Sequence, residues 1–161
     1  MGEVPVELLA VEGLADDVAS VVSDVRSELR VLAPEADVEH VGATSMPDGV
    51  TKGDVDVNLR VHPDRFDDVV AALSTQFAVA QPQNWTATFA SFAGTCRGFP
   101  LGIQVTIKGS DDDFLVPLRD RLRADAGLRH QYDELKRASA PAGRNVYWHA
   151  KDDFLRRTRN R

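Results

Sequence analysis

One eight-residue segment constrains the fold of this chain more than any other. From Asp54 to Val61, polar and apolar residues alternate without interruption. Alternation with a period of two is typical of a β-strand that has one apolar and one polar face. Asp54 and Asp56 therefore leave the same face, roughly 6.8 Å apart along the strand. Any fold for the chain must bury one side of this strand and keep two carboxylates together on the other.

The segments on either side predict a mixed α+β domain. Apolar residues recur at steps of three and four from Leu14 to Leu32 and again from Phe66 to Phe77, which indicates two amphipathic helices. Three further strands are expected at residues 38–42, 85–92 and 103–108. We expect a mixed β-sheet flanked by helices, with a helical lobe at the C-terminal end.

This architecture is expected as a single domain of residues 1–161, with a sheet-containing core at 1–110 and a helical tail at 111–161. Apolar stripes at helical spacing follow the triplet Asp111–Asp113, which we expect to cap the first helix of the tail. Breaks between the tail helices are expected at Gly127 and at Pro141–Gly143.

The length and composition exclude several classes of protein. A chain of 161 residues suits one domain, and its single cysteine, Cys96, leaves no intrachain disulfide. No run approaches the roughly 18–20 apolar residues of a membrane helix, and the first residues lack the pattern of a signal peptide. We therefore expect a cytoplasmic protein with no membrane partner.

The charge is distributed unevenly along the chain. Residues 1–116 carry 7 Lys and Arg against 19 Asp and Glu, a net charge of −12, whereas residues 117–161 carry 12 against 6, a net charge of +6. An acidic body repels the nucleic-acid backbone, so no nucleic-acid polymer is expected as a partner. Oppositely charged lobes either dock on each other or hold a small polyanion with a divalent cation between them.

A glycine-containing loop precedes the carboxylate pair. Gly42 permits close approach of a phosphate to the backbone, and the hydroxyls of Thr44 and Ser45 are able to donate to its oxygens. Asp54 and Asp56 are the oxygen ligands that Mg²⁺ prefers. Loop and strand together predict a site for a nucleotide and its magnesium ion, whereas a solvated surface pair in front of an ordinary turn is the alternative.

The residues around this loop resemble the GrpB family signature. Glu39 to Pro47, followed by Lys52 and Asp56, is similar to the family pattern E-H-[IV]-G-S-T-[SA]-V-P-G-L-x-x-K-P-x-x-D. The tail agrees independently, because residues 118–124, 132–136 and 147–154 resemble the family's F-R-D-Y-L-R, Y-x-x-L-K and Y-x-x-x-K-x-x-F motifs. The resemblance implies the fold of the polymerase-β-like nucleotidyltransferase superfamily. Some members are fused to dephospho-CoA kinase, which adds a CoA-type metabolite to the expected ligands.

The chain departs from the family pattern at informative positions. Ala43 replaces a serine and removes one hydroxyl from the loop, whereas Asp54 adds a carboxylate that makes the strand resemble the D-x-D strand of active superfamily members. Those enzymes use a third carboxylate on a neighbouring strand, where it completes the metal site and accepts the acceptor's proton. The best-matched strand offers Gln104 instead, which orients a hydroxyl or a water but is not a base.

The basic tail supplies further candidates for ligand contact. Arg119 and Arg123 lie one helical turn apart, and with Lys52 they are expected to complement phosphate charge. Two pairs with helical spacing, Tyr132 with Lys136 and Tyr147 with Lys151, either stack on a base and grip phosphate or place tyrosine in the core. His40 flanks the loop, as a ligand contact or as hydrogen-bonded scaffold.

Three functions follow from these observations. The first is a Mg²⁺-dependent nucleotidyltransferase that moves a nucleoside monophosphate from a triphosphate to a small acceptor, with Asp54 and Asp56 as catalytic metal ligands. The second is a non-catalytic module that binds a nucleotide or a CoA-type metabolite in the same cleft. The third is an interaction domain that uses its divided charge.

Overall fold

The alternating segment forms an internal strand of a five-stranded sheet. The computed structural model describes residues 2–160. Within this range the strands are β1 (Leu9–Ala10), β2 (Asp37–Val41), β3 (Val50–Thr51), β4 (Val55–Val61), β5 (Ala78–Val79), β6 (Phe89–Cys96) and β7 (Phe99–Ile107). The helices are α1 (Ala15–Leu32), α2 (Phe66–Ser74), α3 (Leu115–Ala124), α4 (Ala126–Ser139) and α5 (Arg144–Arg159).

The sheet is mixed and has the order β2-β4-β7-β6-β5. Only the β4–β7 pair is parallel, and its register places Asp56 beside Gly102 and Asn58 beside Gln104. On the other side of β4, antiparallel β2 places Val41 beside Asp56. The mixed sheet flanked by helices confirms the predicted α+β architecture, and β1 pairs separately with β3.

The apolar face of β4 lies in the main core. Val55, Val57, Leu59 and Val61 are all 1% exposed or less. Helices α1 and α2 cover this face, and α1 contributes the periodic apolar residues predicted from the sequence. Because successive side chains of a strand point to opposite faces, Asp56 lies on the other face of β4.

The three C-terminal helices cover that opposite face. Their contact with the core of the chain is a second apolar cluster, which consists of Met46, Leu118, Leu122, Tyr132 and Phe154. Arg119 fastens α3 to β2 through Glu39, whose Oε2 lies 2.7 Å from Nη1. The fold thus places the basic tail over the polar face of the sheet.

Two expectations about the tail are wrong. Asp111–Asp113 do not cap α3, which begins after Phe114 without a side-chain cap. Asp113 instead forms a bidentate pair with Arg60, with N–O distances of 2.7 and 2.8 Å, because the turn after β7 folds back onto β4. The break predicted at Gly127 lies at Asp125, whose side chain accepts from the Leu128 amide and caps α4. The break at Pro141–Gly143 is confirmed.

The strand predicted at residues 85–92 is displaced along the chain. β6 begins at Phe89, and Trp85 precedes it, with its indole nitrogen donating to the Ala80 carbonyl 3.0 Å away. Aromatic and β-branched residues favour strands but do not fix where a strand begins. None of the helices among residues 2–160 is long and apolar enough to cross a membrane.

Candidate functional site

The two aspartates line a cleft between the sheet and α5. Asp56 is the second residue of β4, and Asp54 lies just before the strand. The cleft has a volume of about 1010 Å³. Its other walls come from α5 and from the N-terminal segment Glu3–Glu7. The aspartate pair therefore lies in a concavity and not on an open surface.

Two glycines make room for the Asp56 carboxylate. A Cβ placed on Gly42 would lie 2.6 Å from Asp56 Oδ2, and one placed on Gly102 would collide with Oδ1. Gly42 also has a φ of 77°, a conformation that L-residues with side chains rarely adopt. The carboxylate is thus held between the end of β2 and the neighbouring strand β7.

Burial opposes the charge on Asp56. Desolvation raises the pKa of Asp56 above its ordinary value, and nearby Asp54 raises it further. The pKa of Asp56 is lowered by Lys151, by the amide of Gln104 and by Lys52, but these groups do not cancel the increase. The surroundings therefore compensate the ionised form of Asp56 only in part.

Asp54 is more accessible and has a cation beside it. Lys52 Nζ lies 2.7 Å from Asp54 Oδ2, and the side chains are 37% and 30% exposed. Lys151, on α5, lines the same cleft from the opposite wall. Carboxylates and cations thus lie side by side in the cleft, which Glu3, Glu7 and Arg144 also line. This arrangement is suited to a phosphate together with a cation.

The hydroxyl groups of Thr44 and Ser45 form hydrogen bonds within the protein. Thr44 donates to the Asp54 carbonyl over 3.1 Å and lies 3.0 Å from His40 Nε2, whereas Ser45 donates to the Gly42 carbonyl over 2.6 Å. Both are buried. In this arrangement the two hydroxyls shape the loop, and Gly42 is the loop residue that contacts the aspartate.

His40 lies on the other side of the sheet from Asp56. It pairs with Val57, a core residue, and lines a groove against α1. Desolvation and the positive charges of Arg123 and Arg119 lower the pKa of His40 to about 4. The imidazole is therefore neutral at physiological pH and acts as a hydrogen-bond partner of Thr44.

The two predicted arginines lie on helix α3 of the tail and contact β2 and the loop that follows it. Arg119 donates to Glu39 and to the His40 carbonyl, at 2.7 and 3.0 Å. Arg123 donates to the Ser45 carbonyl at 2.9 Å. Both side chains therefore position β2 and the loop after it.

The two tyrosine–lysine pairs differ. Tyr132 stacks on Phe154 with centroids 5.0 Å apart, and Lys136 is 2% exposed, held by Asp133 and the Val50 carbonyl. Lys136 therefore lies inside the protein, whereas the buried Tyr132 lines a smaller cavity together with Asp56. Tyr147, by contrast, lines the cleft together with Lys151 although it is largely buried, and burial raises its pKa to about 12.

Gln104 lies on β7, the strand next to β4, where a third carboxylate would complete the metal site. Its amide favours the ionised form of Asp56, and its Oε1 is buried without a hydrogen-bond partner. Among residues 2–160 no group of three or more His, Cys, Asp or Glu side chains is placed to hold a metal ion. A cation here would have two carboxylates and one unpartnered amide oxygen, all of them hard oxygen donors that suit Mg²⁺.

Sequence reasoning missed three contributions to the cleft. Trp148 is 42% exposed on its wall, and Arg144 lies one turn earlier on α5. Glu3 reaches the same wall, where it accepts from the amide and the side chain of Asn145. The spacing of the tail motif predicted Tyr147 as a site residue, whereas no sequence pattern distinguished its exposed neighbour Trp148.

A smaller sheet–helix cavity adjoins the cleft. Its volume is about 270 Å³, and it lies between the sheet and helices α3–α5. Asp56, Gln104 and Lys151 line both spaces. The remaining walls of the cavity are mainly apolar, with Phe89 and Leu118 among them.

Sequence comparison finds relatives over most of the chain. The family model described as GrpB protein matches residues 11–161. A UPF0157 protein from Vibrio cholerae is 30% identical over 130 residues, which cover 81% of this chain and 69% of that protein.

Structural comparison finds the same fold in two groups of proteins. The crystal structure of the conserved protein GrpB from Enterococcus faecalis matches with a TM-score of 0.76 at 15% identity, covering 96% of this chain and 95% of the other. A mutant of the Cid1 poly(U) polymerase bound to MgATP matches with a TM-score of 0.55 at 12% identity, covering 86% of this chain and 49% of Cid1. Cid1 with its short product ApU gives 0.54 at 13% identity, with 78% and 40% covered. The fold is therefore nucleotidyltransferase-like, and this chain spans less than half of Cid1.

Proposed function

Because the chain belongs to the GrpB family and has a nucleotidyltransferase-like fold, we propose that it binds a Mg²⁺–nucleoside triphosphate and transfers the nucleoside monophosphate to a small acceptor. The observation that carries this proposal is the Asp56 carboxylate. It is desolvated and has a second carboxylate, Asp54, nearby, so a divalent cation would offset the charge of both groups.

Different residues of the cleft would bind the cation and the phosphates. Asp54 and Asp56 would hold the cation, and the unpartnered oxygen of Gln104 is available to it after rotation of the amide. A bound Mg²⁺ would neutralise charge on the phosphates and orient them. Lys52 and Lys151 contribute positive charge from opposite walls of the cleft.

The exposed ring of Trp148 is a suitable platform for the base. It lines the cleft on the same helix as Lys151, and stacking of a base on an aromatic ring contributes about 1–3 kcal/mol. Such stacking is tolerant of the base, so we expect weak preference among the four nucleotides.

Calorimetry with and without magnesium tests the proposal. We expect ATP, GTP, UTP and CTP to bind in Mg²⁺ and to bind at least tenfold more weakly in EDTA. Asp56→Asn and Asp54→Asn should weaken the Mg²⁺-dependent binding, whereas Asp67→Asn, at an exposed carboxylate on α2, should not change it. Affinity that depends neither on the metal nor on the two aspartates would refute the proposal.

Gln104 favours a second candidate, a non-catalytic module that binds a nucleotide or a CoA-type metabolite. A glutamine beside Asp56 cannot accept the proton of an acceptor hydroxyl as a carboxylate would. Pyrophosphate release with a panel of small acceptors separates the two candidates. Sustained release supports the transferase, and Mg²⁺-dependent binding without release supports the module.

A further inference from the structure

The sheet–helix cavity is a separate space from the cleft, and its walls differ in chemistry. Apolar side chains from the sheet and from α3–α5 form most of it, among them Val41, Phe89, Leu115 and Leu118. Its volume of about 270 Å³ is just below the roughly 300 Å³ at which pockets for drug-sized ligands begin. An occupant must therefore be small and predominantly apolar.

The charged residues of the cavity restrict the polar end of an occupant. Three charged side chains line the cavity. Arg119 is already held by Glu39 and Asp120, at 2.7 and 2.9 Å, whereas Asp56 and Lys151 line the cavity where it adjoins the cleft. A carboxylate on the ligand would be repelled by Asp56, and an ammonium group would be repelled by Lys151. Each kind of ion therefore makes one unfavourable contact. A hydroxyl group donates to the carboxylate and accepts from the ammonium group without carrying a charge.

We propose that the sheet–helix cavity binds a small, neutral, apolar alcohol with its hydroxyl at the boundary formed by Asp56 and Lys151. In the transferase, and resting on the function proposed above, this alcohol is the acceptor. Its oxygen forms a bond to the α-phosphorus, and the bond from that phosphorus to the bridging oxygen breaks. Pyrophosphate leaves with the electron pair, and the hydroxyl proton passes to solvent.

Three matched ligands test the binding step in the absence of nucleotide. 2-Phenylethanol, 2-phenylacetate and 2-phenylethylamine share an aromatic ring and a short chain and differ in the charge of the polar end. Titration of the ¹⁵N-labelled protein, followed by amide chemical shifts, should show saturable binding of the alcohol around the cavity. The two ions should bind at least tenfold more weakly.

Variants on one helix locate the binding site. Leu115 lines the cavity and is partly exposed, so Leu115→Trp should fill the space without unfolding the protein. This variant should lose the alcohol by at least tenfold and keep its affinity for Mg²⁺–ATP. Val116→Trp, at the next position of α3 and outside the cavity, is the control and should bind the alcohol normally.

The outcomes separate this inference from the function proposed above. Equal binding of the three ligands, no binding of the alcohol to the folded protein, or full binding to Leu115→Trp would each overturn the inference. Failure of nucleotide binding with normal binding of the alcohol would remove the acceptor role and leave the cavity site standing.

Discussion

Single residues in this protein show burial acting against charge. Asp56 is enclosed between two glycines, and its ionised form is disfavoured by desolvation. His40 lies on the opposite face of the sheet, where burial and neighbouring arginines disfavour its protonated form. Both groups therefore change the pH dependence of folding, in opposite directions.

Asp56→Asn should stabilise the protein at neutral pH. The pKa of Asp56 is raised on folding, so the stability linked to this group is present below its unfolded pKa and is lost as the pH rises through the folded pKa. Removing the charge should raise the free energy of unfolding at pH 7 by about 1 kcal/mol. Urea denaturation of wild type and variant measures the difference, with Asp54→Asn as the more exposed comparison. A variant less stable than wild type would contradict this account.

His40→Gln should flatten the acid limb of the stability curve. The folded-state pKa of about 4 lies below the ordinary 6.5. The unfolded chain therefore binds a proton in this interval and the folded protein does not, so stability falls as the pH falls. This difference corresponds to about 2 kcal/mol between pH 7 and 5. The wild type should lose that much more stability than the variant over this interval, and equal slopes would show that His40 does not titrate in this way.

At the scale of elements, the junction of β2, β4 and β7 builds the site. β2 ends at Val41, the chain turns away at Gly42, and β7 places Gly102 directly beside Asp56. The loop between β2 and β4 is held by its own hydroxyls and by Arg123 of α3. The position of one carboxylate thus depends on three strands and a helix.

Gly102→Ala should displace the Asp56 side chain and destabilise the fold. The added Cβ collides with Asp56 Oδ1, and such overpacking costs about 1–3 kcal/mol. Gly13→Ala, where the Cβ meets nothing within 4 Å, is the matched control. Chemical denaturation measures both.

An Asp56→Ser background identifies the cause of that loss. With the carboxylate gone, Gly102→Ala should cost less, because neighbouring substitutions are not additive. An unchanged cost in this background would locate the strain elsewhere in β7.

At the scale of the whole molecule, ion pairs join the tail to the body of the chain: Arg119 of α3 pairs with Glu39 and Arg129 of α4 pairs with Asp48, at 2.7 Å each. Lys136 on α4 is buried and binds the Val50 carbonyl of β3 and Asp133, at 3.0 Å from Oδ1. Asp133 in turn accepts from the Val50 amide. The acidic body and the basic tail therefore dock through specific pairs, and the cleft is the part of this junction left open.

Lys136→Met should destabilise the protein by about 3–5 kcal/mol, because it leaves Asp133 buried without its cation. Arg156→Met removes an exposed partner of Asp152 and should change the free energy of unfolding by less than about 1 kcal/mol. Thermal and urea unfolding measure both variants. Equal effects would mean that burial does not make the Lys136–Asp133 pair more important for stability than an exposed pair.

The sequence predicted the features that depend on local order along the chain. Alternation in β4 and the periodicity of α1 follow from which residues must leave water, so the mixed sheet, the first helix and the shared face of Asp54 and Asp56 were all predictable. The loop motif and tail motifs likewise indicated the GrpB family, which the comparisons confirm.

Tertiary structure alone decided which of these residues meet across the fold. Lys136 and Lys151 have similar sequence contexts, yet one is buried against β3 and the other lines the cleft. Trp148 and the enclosure of Asp56 by Gly102 arise from contacts between segments far apart in the chain. Periodicity records only whether a side chain is buried or exposed, whereas its partner and its electrostatic surroundings are set when distant segments pack together.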